Sequence, residues 1–260
     1  LVRASYNDPL DTYMTNVIGT LNLLDLCRDC KPKAVIVVTS DKCYKNHEKM
    51  HDFKETDELG GHDPYSSSKA CTEILTQSMN LSFLEKIGIG VATARAGNVI
   101  GGGDWAKDRL VPDAARSILT KESLAVRNPN AIRPWQHVLD SISGYLTLAQ
   151  ALAQDTRKYS GAWNFGPNSQ DAKSVRWVLQ NINKIDRRFA WYEHNSKADQ
   201  HEATLLTLDS NKAQSSLHWS TKWSTETAIL KTMQWYKAFE DKANLARITK
   251  EQIAEYIDWS

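Results

Sequence analysis

A short apolar strand followed by four polar residues constrains this chain more than any other feature. Residues 34–38 (Ala-Val-Ile-Val-Val) form a continuous run rich in β-branched side chains, which is typical of a strand buried on both faces of a parallel sheet. Thr39, Ser40, Asp41 and Lys42 follow directly. In open α/β sheets, ligands bind at the carboxyl ends of the strands. The stretch therefore predicts an α/β fold with a ligand site at this edge of the sheet.

A tyrosine and a lysine lie on the helix that is predicted to begin at Pro64. Tyr65 and Lys69 are four residues apart, so their side chains leave the same helix face. An ammonium beside a phenol lowers the pKa of the phenol and makes it a usable base, and Ser40 could share its proton through a hydrogen bond. The pair alone is equally compatible with an ordinary surface helix. Its combination with the polar residues after the strand indicates a catalytic site.

These segments and several others resemble the extended short-chain dehydrogenase/reductases, and within them the nucleotide-sugar 4,6-dehydratases. The match is closest to the members that act on CDP-glucose, and it covers nearly the whole chain. The matching motifs, in the order of the family, are 39–44 (Thr-Ser-Asp-Lys-Cys-Tyr), 63–69 (Asp-Pro-Tyr-Ser-Ser-Ser-Lys), 95–105 (Arg-Ala-Gly-Asn-Val-Ile-Gly-Gly-Gly-Asp-Trp), 109–112 (Arg-Leu-Val-Pro) and 133–138 (Arg-Pro-Trp-Gln-His-Val).

The resemblance implies a Rossmann-type doubly wound parallel sheet with a smaller C-terminal substrate domain. We expect the remaining part of the NAD-binding domain at 1–101 and the nucleotide-sugar-binding domain at 102–260, with about 134–165 returning to the sheet. A GxGxxG turn between a strand and a helix is not found in this sequence, and Gly101–Gly103 cannot replace it because Asp104 and Trp105 follow. We therefore expect that the N-terminal strands and the adenosine half of the NAD site are missing from this chain.

The reaction that the resemblance implies is an internal redox elimination on a nucleotide-activated hexose, in deoxysugar and O-antigen biosynthesis. Tyr65, with Lys69 and Ser40, would remove the O4 proton while hydride passes from C4 to NAD. Asp41, kept protonated by a raised pKa, would protonate the departing C6 hydroxyl. Lys42 stands where dTDP-glucose relatives carry a glutamate. We expect it to be the C5 base, which requires the neutral amine; as the alternative, its cation would only stabilise the enolate.

Binding residues are implied in the same way. Cofactor contacts are expected from Thr39, Tyr65, Lys69, Ala96 and Asn98. Substrate contacts are expected from Asn98, Arg109, Leu110, Arg133, His201 and Glu202. The guanidinium of Arg133 suits a diphosphate, although an ordinary surface arginine is the alternative, and Asn98 could be a simple turn residue. The resemblance also places Asn16 on a family helix whose asparagine supports the active-site hydrogen bonds.

Composition and spacing exclude several other classes. The formal net charge of +1 gives no electrostatic reason to expect nucleic acid or an anionic membrane as a partner. No apolar run approaches the roughly 18 residues of a transmembrane helix, so we expect a cytoplasmic protein. Cys27 and Cys30 form a CxxC with no second pair at zinc-like spacing, and no metal is predicted. The family further implies a homodimer through the helices near 11–26 and 65–84.

Alternative functions remain open at this stage. A nucleotide-sugar 4-epimerase needs Ser or Thr, Tyr and Lys but no acid–base pair for loss of water, so Asp41 and Lys42 speak against it. Inverting 4,6-dehydratases of UDP-N-acetylglucosamine also carry an Asp-Lys pair, but there the pair lies much closer in sequence to the tyrosine, and the Gly-Gly-Gly-Asp-Trp segment is not expected. A non-catalytic sugar-nucleotide-binding fragment would account for the missing Gly-rich turn.

Overall fold

The computed structural model describes residues 1–47, 51–168, 171–194 and 206–259. The α-helices are α1 (Val2–Asn7), α2 (Pro9–Tyr13), α3 (Gly19–Cys30), α4 (Pro64–Met79), α5 (Leu110–Thr120), α6 (Val138–Gln154), α7 (Thr156–Tyr159), α8 (Val175–Ile185), α9 (Asn211–Leu217), α10 (Thr225–Glu240) and α11 (Leu245–Asp258). The strands are β1 (Ala34–Val38), β2 (Asp52–Phe53), β3 (Gly90–Ala96), β4 (Asn98–Ile100), β5 (Leu124–Val126), β6 (Ile132–Arg133), β7 (Trp135–His137), β8 (Gly161–Phe165), β9 (Lys173–Ser174), β10 (Trp191–Glu193) and β11 (Thr207–Leu208). Within the described residues we find no helix with the length and apolarity needed to cross a membrane.

The chain divides into two compact units. The first unit contains Leu1–Gly97, Ile142–Gly166 and Leu206–Ser220. The second unit contains Asn98–Ser141, the described part of Pro167–Leu205, and the chain from Thr221 onward. The first unit therefore contains two segments that come after the predicted boundary at 101, in addition to Leu1–Gly97.

The first unit is built on a parallel sheet with the strand order β1-β3-β8. Every residue of β3 is buried. On one face Ala92 and Ala94 pack against Leu148 and Leu152 of α6, and on the other face Val91 packs with residues of α3 and α4. Helices therefore cover both faces of the central strand, as in a doubly wound α/β sheet. The predicted fold class is confirmed.

Strand β1 is less buried than its sequence predicts. Its first four residues are only partly buried, and Val38 is 49% exposed. Among the described residues β1 pairs with β3 alone, so it lies at the edge of this sheet. The predicted burial on both faces is therefore not found in the described residues, where β1 has a neighbouring strand on one side.

The second unit has its own core, formed mainly by α5, α8 and α10. Its buried residues include Val111, Ile118, Leu179, Ile229 and Met233. The short strands of this unit form two-stranded pairs. Among them, β4 runs parallel to β7, and β6 runs antiparallel to β9. The residues near 134–165 were expected to return to the sheet. At the start of that range β7 pairs with β4 within the second unit, and at its end β8 joins the sheet of the first unit.

A buried histidine ends β7 in the second unit. His137 is 2% exposed, and its ring lies 4.7 Å from the ring of Trp223. Its Nδ1 accepts the backbone N–H of Leu139 at 3.2 Å, so the proton of the neutral ring is on Nε2, for which the described residues provide no hydrogen-bond partner. Burial lowers the pKa of His137 to about 4, and the positive charge of Lys231 makes a smaller contribution in the same direction.

We expect this histidine to weaken the second unit in acid. Between pH 6.5 and about 4 the unfolded chain binds a proton at His137 that the folded chain does not, so the free energy of unfolding falls as the pH falls, by about 3 kcal/mol in total. Replacement of His137 with asparagine keeps an acceptor for Leu139 and should flatten the pH dependence of urea unfolding.

The control for this prediction is His47→Asn, which changes an exposed histidine. Asp140, whose pKa is raised by burial, contributes the opposite trend, but it is present in all three proteins and does not affect the comparison. An acid limb as steep in His137→Asn as in the parent protein would show that His137 is not its source.

Candidate functional site

The polar residues after β1 fold into one turn of 3-10 helix, Asp41–Cys43. Ser40 caps this turn: its Oγ accepts the backbone N–H of Lys42 at 3.2 Å and donates to Oδ1 of Asp41 at 3.0 Å. Thr39, Ser40 and Asp41 are buried, whereas Lys42 is only partly buried. The turn therefore holds an alcohol and a carboxyl group side by side at the carboxyl end of β1. The expected hydrogen bond between Ser40 and Tyr65 stays a prediction.

Helix α4 begins at Pro64, as predicted, because Asp63 caps it. The Asp63 carboxylate accepts the Ser66 backbone N–H at 2.9 Å and the Ser66 hydroxyl at 2.6 Å, and a proline at the first helical position needs no N–H partner. Tyr65 and Lys69 follow in the first two turns and are partly buried. The Nζ of Lys69 donates to the carbonyl of Val38 at 3.2 Å. This bond joins the helix to the end of β1.

Asn16 supports the same helix from a π-helical segment, Met14–Ile18. Its Nδ2 donates to the Ser68 hydroxyl at 2.9 Å, and its carbonyl accepts the Thr72 hydroxyl at 3.0 Å. Single π-helical turns occur often at functional sites because they redirect backbone groups. The contact with Ser68, between Tyr65 and Lys69, agrees with the supporting role that the resemblance implies for Asn16.

A buried ion pair lies behind these residues. Glu73 and Arg95 have side chains that are each 3% exposed, and Oε2 of Glu73 lies 2.7 Å from Nη2 of Arg95. The same carboxylate accepts hydrogen bonds from the hydroxyl of Thr39 and, at 2.6 Å, from that of Thr93. Glu73 therefore connects α4 with the ends of β1 and β3.

Arg95 extends this network toward the far side of the sheet. Its Nη1 donates to the Tyr44 hydroxyl at 2.8 Å, and that hydroxyl donates to Oδ1 of Asn164 at 2.7 Å. The Asn164 backbone N–H in turn donates to Oε1 of Glu55 at 2.9 Å. Burial disfavours the charged guanidinium, but the hydrogen bond with Glu73 and the nearby negative groups outweigh it and raise the pKa of Arg95 above its ordinary value. The ends of β1, β3 and β8 thus share one polar network.

The electrostatics of Lys69 follow from the same geometry. Burial lowers the pKa of its ammonium below the ordinary value, and the negative charge of Glu73 opposes that shift. Glu73 is one helical turn after Lys69, so both side chains lie on the same face of α4. The charge on Lys69 therefore depends on a carboxylate outside the predicted site.

The roles of Glu73, Arg95, Tyr44 and Asn164 were not predicted from the sequence. Two signals were available. An arginine inside the apolar run 90–96 requires a buried partner, and Glu73 continues the four-residue spacing of Tyr65 and Lys69. The pairing itself joins residues that are far apart in the sequence, and a single sequence does not specify it.

The other predicted site residues lie in both units. Ala96, in the first unit, is buried at the end of β3. In the second unit Asn98 begins β4 opposite Trp135, Leu110 begins α5, and Arg109 is exposed, 3.5 Å from Asp104. Arg133 is only 6% exposed and donates to the Ile132 carbonyl, so the alternative of a surface arginine was wrong. His201 and Glu202 lie outside the described residues.

Comparisons of the sequence with known proteins identify relatives along nearly all of the chain. Residues 1–232 match the family model described as GDP-mannose 4,6 dehydratase. CDP-glucose 4,6-dehydratase of Salmonella typhimurium is 41% identical over 263 residues, which is 99% of this chain and 73% of the relative. A dTDP-glucose 4,6-dehydratase of Xanthomonas campestris is 26% identical, over 90% of this chain and 69% of the relative.

Solved structures share the fold. The dTDP-glucose 4,6-dehydratase of Bacillus anthracis, in complex with NAD, matches with a TM-score of 0.72 and 23% identity, over 89% of this chain and 70% of the other. The UDP-glucose-4-epimerase of Stenotrophomonas maltophila, with bound NAD, matches with a TM-score of 0.80 and 19% identity, over 94% and 75%. At these identities the likeness shows the fold alone.

The extent of the family match and the identity of the Salmonella relative settle the classification. The prediction of a nucleotide-sugar 4,6-dehydratase, a lyase of the short-chain dehydrogenase/reductase type, is confirmed. The chain belongs to the GDP-mannose 4,6-dehydratase family of nucleotide-sugar-modifying enzymes.

Proposed function

We propose that this chain converts CDP-glucose to CDP-4-keto-6-deoxyglucose, with NAD as its bound cofactor. The observation that carries the proposal is the buried carboxyl group of Asp41 beside Ser40, on the turn that follows β1. Loss of water from a sugar needs a proton donor in addition to the Ser, Tyr and Lys that oxidation at C4 requires. The 41% identical relative with the name of this activity supports the choice of CDP-glucose.

The residues of the first unit suit NAD. Tyr65 and Lys69 present a hydroxyl and an ammonium on one helix face, and such donors match the hydroxyls of a ribose. Thr39 directly follows β1, and Ala96 is the last residue of β3. Both lie at the carboxyl ends of the strands, where open α/β sheets bind dinucleotides. When bound, NAD supplies the capacity to take up a hydride from the sugar and give it back.

The remaining chemistry belongs to side chains of this chain. Tyr65 takes the proton from the sugar O4, assisted by the cationic Lys69 on the same helix face. Asp41 gives a proton to the leaving C6 hydroxyl, and its burial favours the protonated form that this step needs. Lys42, beside it, either takes the C5 proton as a neutral amine or stabilises the enolate as a cation.

Substrate binding is proposed for residues of the second unit and for the turn after β3. Arg133 would hold the diphosphate through its guanidinium, and its burial suits a strong, water-poor ion pair with phosphate. Further contacts are proposed from Asn98, Arg109, Leu110, His201 and Glu202. We also propose a cytoplasmic location, because nucleotide sugars and NAD are metabolites of that compartment.

The proposed function predicts which product the protein forms and which substitution removes its activity. The protein with NAD should form a 4-keto-6-deoxy sugar from CDP-glucose, seen as alkali-induced absorbance, and not from dTDP-glucose or UDP-glucose. Tyr65→Phe removes the base while keeping the ring, and should lower the rate by about 10² to 10⁴-fold. Tyr192→Phe, at a tyrosine that is 52% exposed, is the matched control and should keep the parent rate.

Other outcomes of this assay are equally informative. Interconversion at C4 without loss of water would make the protein an epimerase and leave Asp41 and Lys42 without a catalytic role. Product from dTDP-glucose or UDP-glucose in place of CDP-glucose would correct the nucleotide. Full activity in Tyr65→Phe would contradict the role given to the tyrosine.

We also propose that a second copy of this chain packs on α2, α4 and the π-helical segments that follow these helices. Four large apolar side chains on these elements are strongly exposed: Leu10 (72%), Met14 (52%), Ile74 (58%) and Leu81 (56%). Exposed apolar side chains on neighbouring helices are typical of a protein interface. The family resemblance implies dimerisation through the helices near 11–26 and 65–84, which include Met14, Ile74 and Leu81.

The dimer predicts a mass of twice 29.4 kDa in sedimentation equilibrium. Ile74→Glu would place a carboxylate in the apolar interface, and should weaken association by about tenfold or more. Leu146→Glu changes an equally exposed leucine on α6 and should leave the mass unchanged. A monomer at all concentrations in the parent protein, or an equal effect of both substitutions, would contradict the proposed interface.

A further inference from the structure

Glu73 is the point at which the elements of the candidate site meet. Its carboxylate is 3% exposed and lies within hydrogen-bonding distance of groups on two strands: Thr39 after β1, and Thr93 and Arg95 on β3. Glu73 itself belongs to α4, the helix that carries Tyr65 and Lys69. A sliding movement of α4 along the sheet would leave a buried carboxylate without its partners.

We propose that Glu73 is a positioning residue for Lys69: its buried carboxylate keeps the neighbouring ammonium cationic and locks α4 to the strand ends from which Ser40 and Asp41 follow. The inference rests on the proposed function, in which the Lys69 cation activates Tyr65. Glu73 reaches no reacting atom itself, so its effect passes through Lys69 and through the backbone position of the helix.

Among the groups that act on the charge of Lys69, Glu73 is the one that is negative at neutral pH. From the turn after β1, Cys43 faces Lys69, but burial raises the pKa of its thiol, so the thiol is uncharged in that range. Tyr44 is likewise kept neutral by burial, which raises its pKa. Arg95 is cationic and is paired with Glu73, and Asp41 neighbours Cys43 on the turn. On α4 itself, Tyr65 is one turn before Lys69 and Glu73 is one turn after it.

The test measures the charge on Lys69 directly. Competitive labelling with acetic anhydride across a pH series, read by mass spectrometry, gives the pKa of Lys69, with the exposed Lys33 as internal reference. Every sample contains the same NAD concentration. Glu73→Gln alone would leave Arg95 buried without its partner and would strongly destabilise the fold. The informative protein is therefore Glu73→Gln/Arg95→Met, which removes both charges together.

In the folded double variant we expect the pKa of Lys69 to fall, because an opposite charge one helical turn away is lost and the simultaneous loss of the Arg95 cation offsets only part of that effect. The alkaline limb of kcat/KM for the dehydration should move to lower pH by the same amount. Thr93→Val is the matched control. It removes one hydrogen bond to Glu73 and no charge, so it should lower stability without moving the labelling curve of Lys69.

An unchanged labelling curve for Lys69 in the double variant would overturn the inference, as would an equal shift in Thr93→Val. Labelling needs no substrate, so it decides the role of Glu73 even if the parent protein does not act on CDP-glucose. Absence of dehydration in the parent protein would instead contradict the proposed function alone.

Discussion

The ion pair between Glu73 and Arg95 constrains the first unit more than any other interaction. Removal of two charges from water is costly, and their mutual attraction in the protein interior does little more than offset that cost. Here the remaining hydrogen-bonding capacity of the carboxylate is filled by Thr39 and Thr93. The stability gained is therefore small, but a misplaced partner would leave a buried charge unpaired at a cost of about 3 to 5 kcal/mol. The pair fixes position more than it adds stability.

That constraint reaches the site through the backbone. Thr39 directly precedes Ser40 and Asp41, and Glu73 directly continues the helix face of Tyr65 and Lys69. Arg95 directly precedes Ala96 at the end of the central strand and contacts Tyr44, which lies on the far side of the 3-10 turn from Ser40. The 3-10 turn is thus held by the network within one or two residues of Ser40, Asp41 and Lys42, and α4 is held one helical turn after Lys69. Loops alone would not give this precision, because their backbone has few fixed partners.

The sequence predicted those features that local chemistry determines. Pro64 with Asp63 before it specifies the start of α4, and the β-branched run specifies β1. It failed where the outcome depends on distant residues. Burial of β1 depends on which strands flank it, and the partner of 133–138 depends on β4 and β9. The carboxylate of Asp140, in the first turn of α6, accepts the Lys222 backbone N–H and the Tyr256 hydroxyl, which are both distant in the sequence. Tyr44 and Asn164, 120 residues apart, show the same limit.

The 3-10 turn also separates the two groups proposed to act in the loss of water. Successive side chains of a 3-10 helix point about 120° apart, so Asp41 and Lys42 cannot share one environment. Asp41 is 3% exposed, which suits an acid that must keep its proton, whereas Lys42 is only partly buried. The turn therefore presents the two groups proposed to act on the sugar in different directions, the carboxyl group of Asp41 from a buried position and the amino group of Lys42 from a partly exposed one.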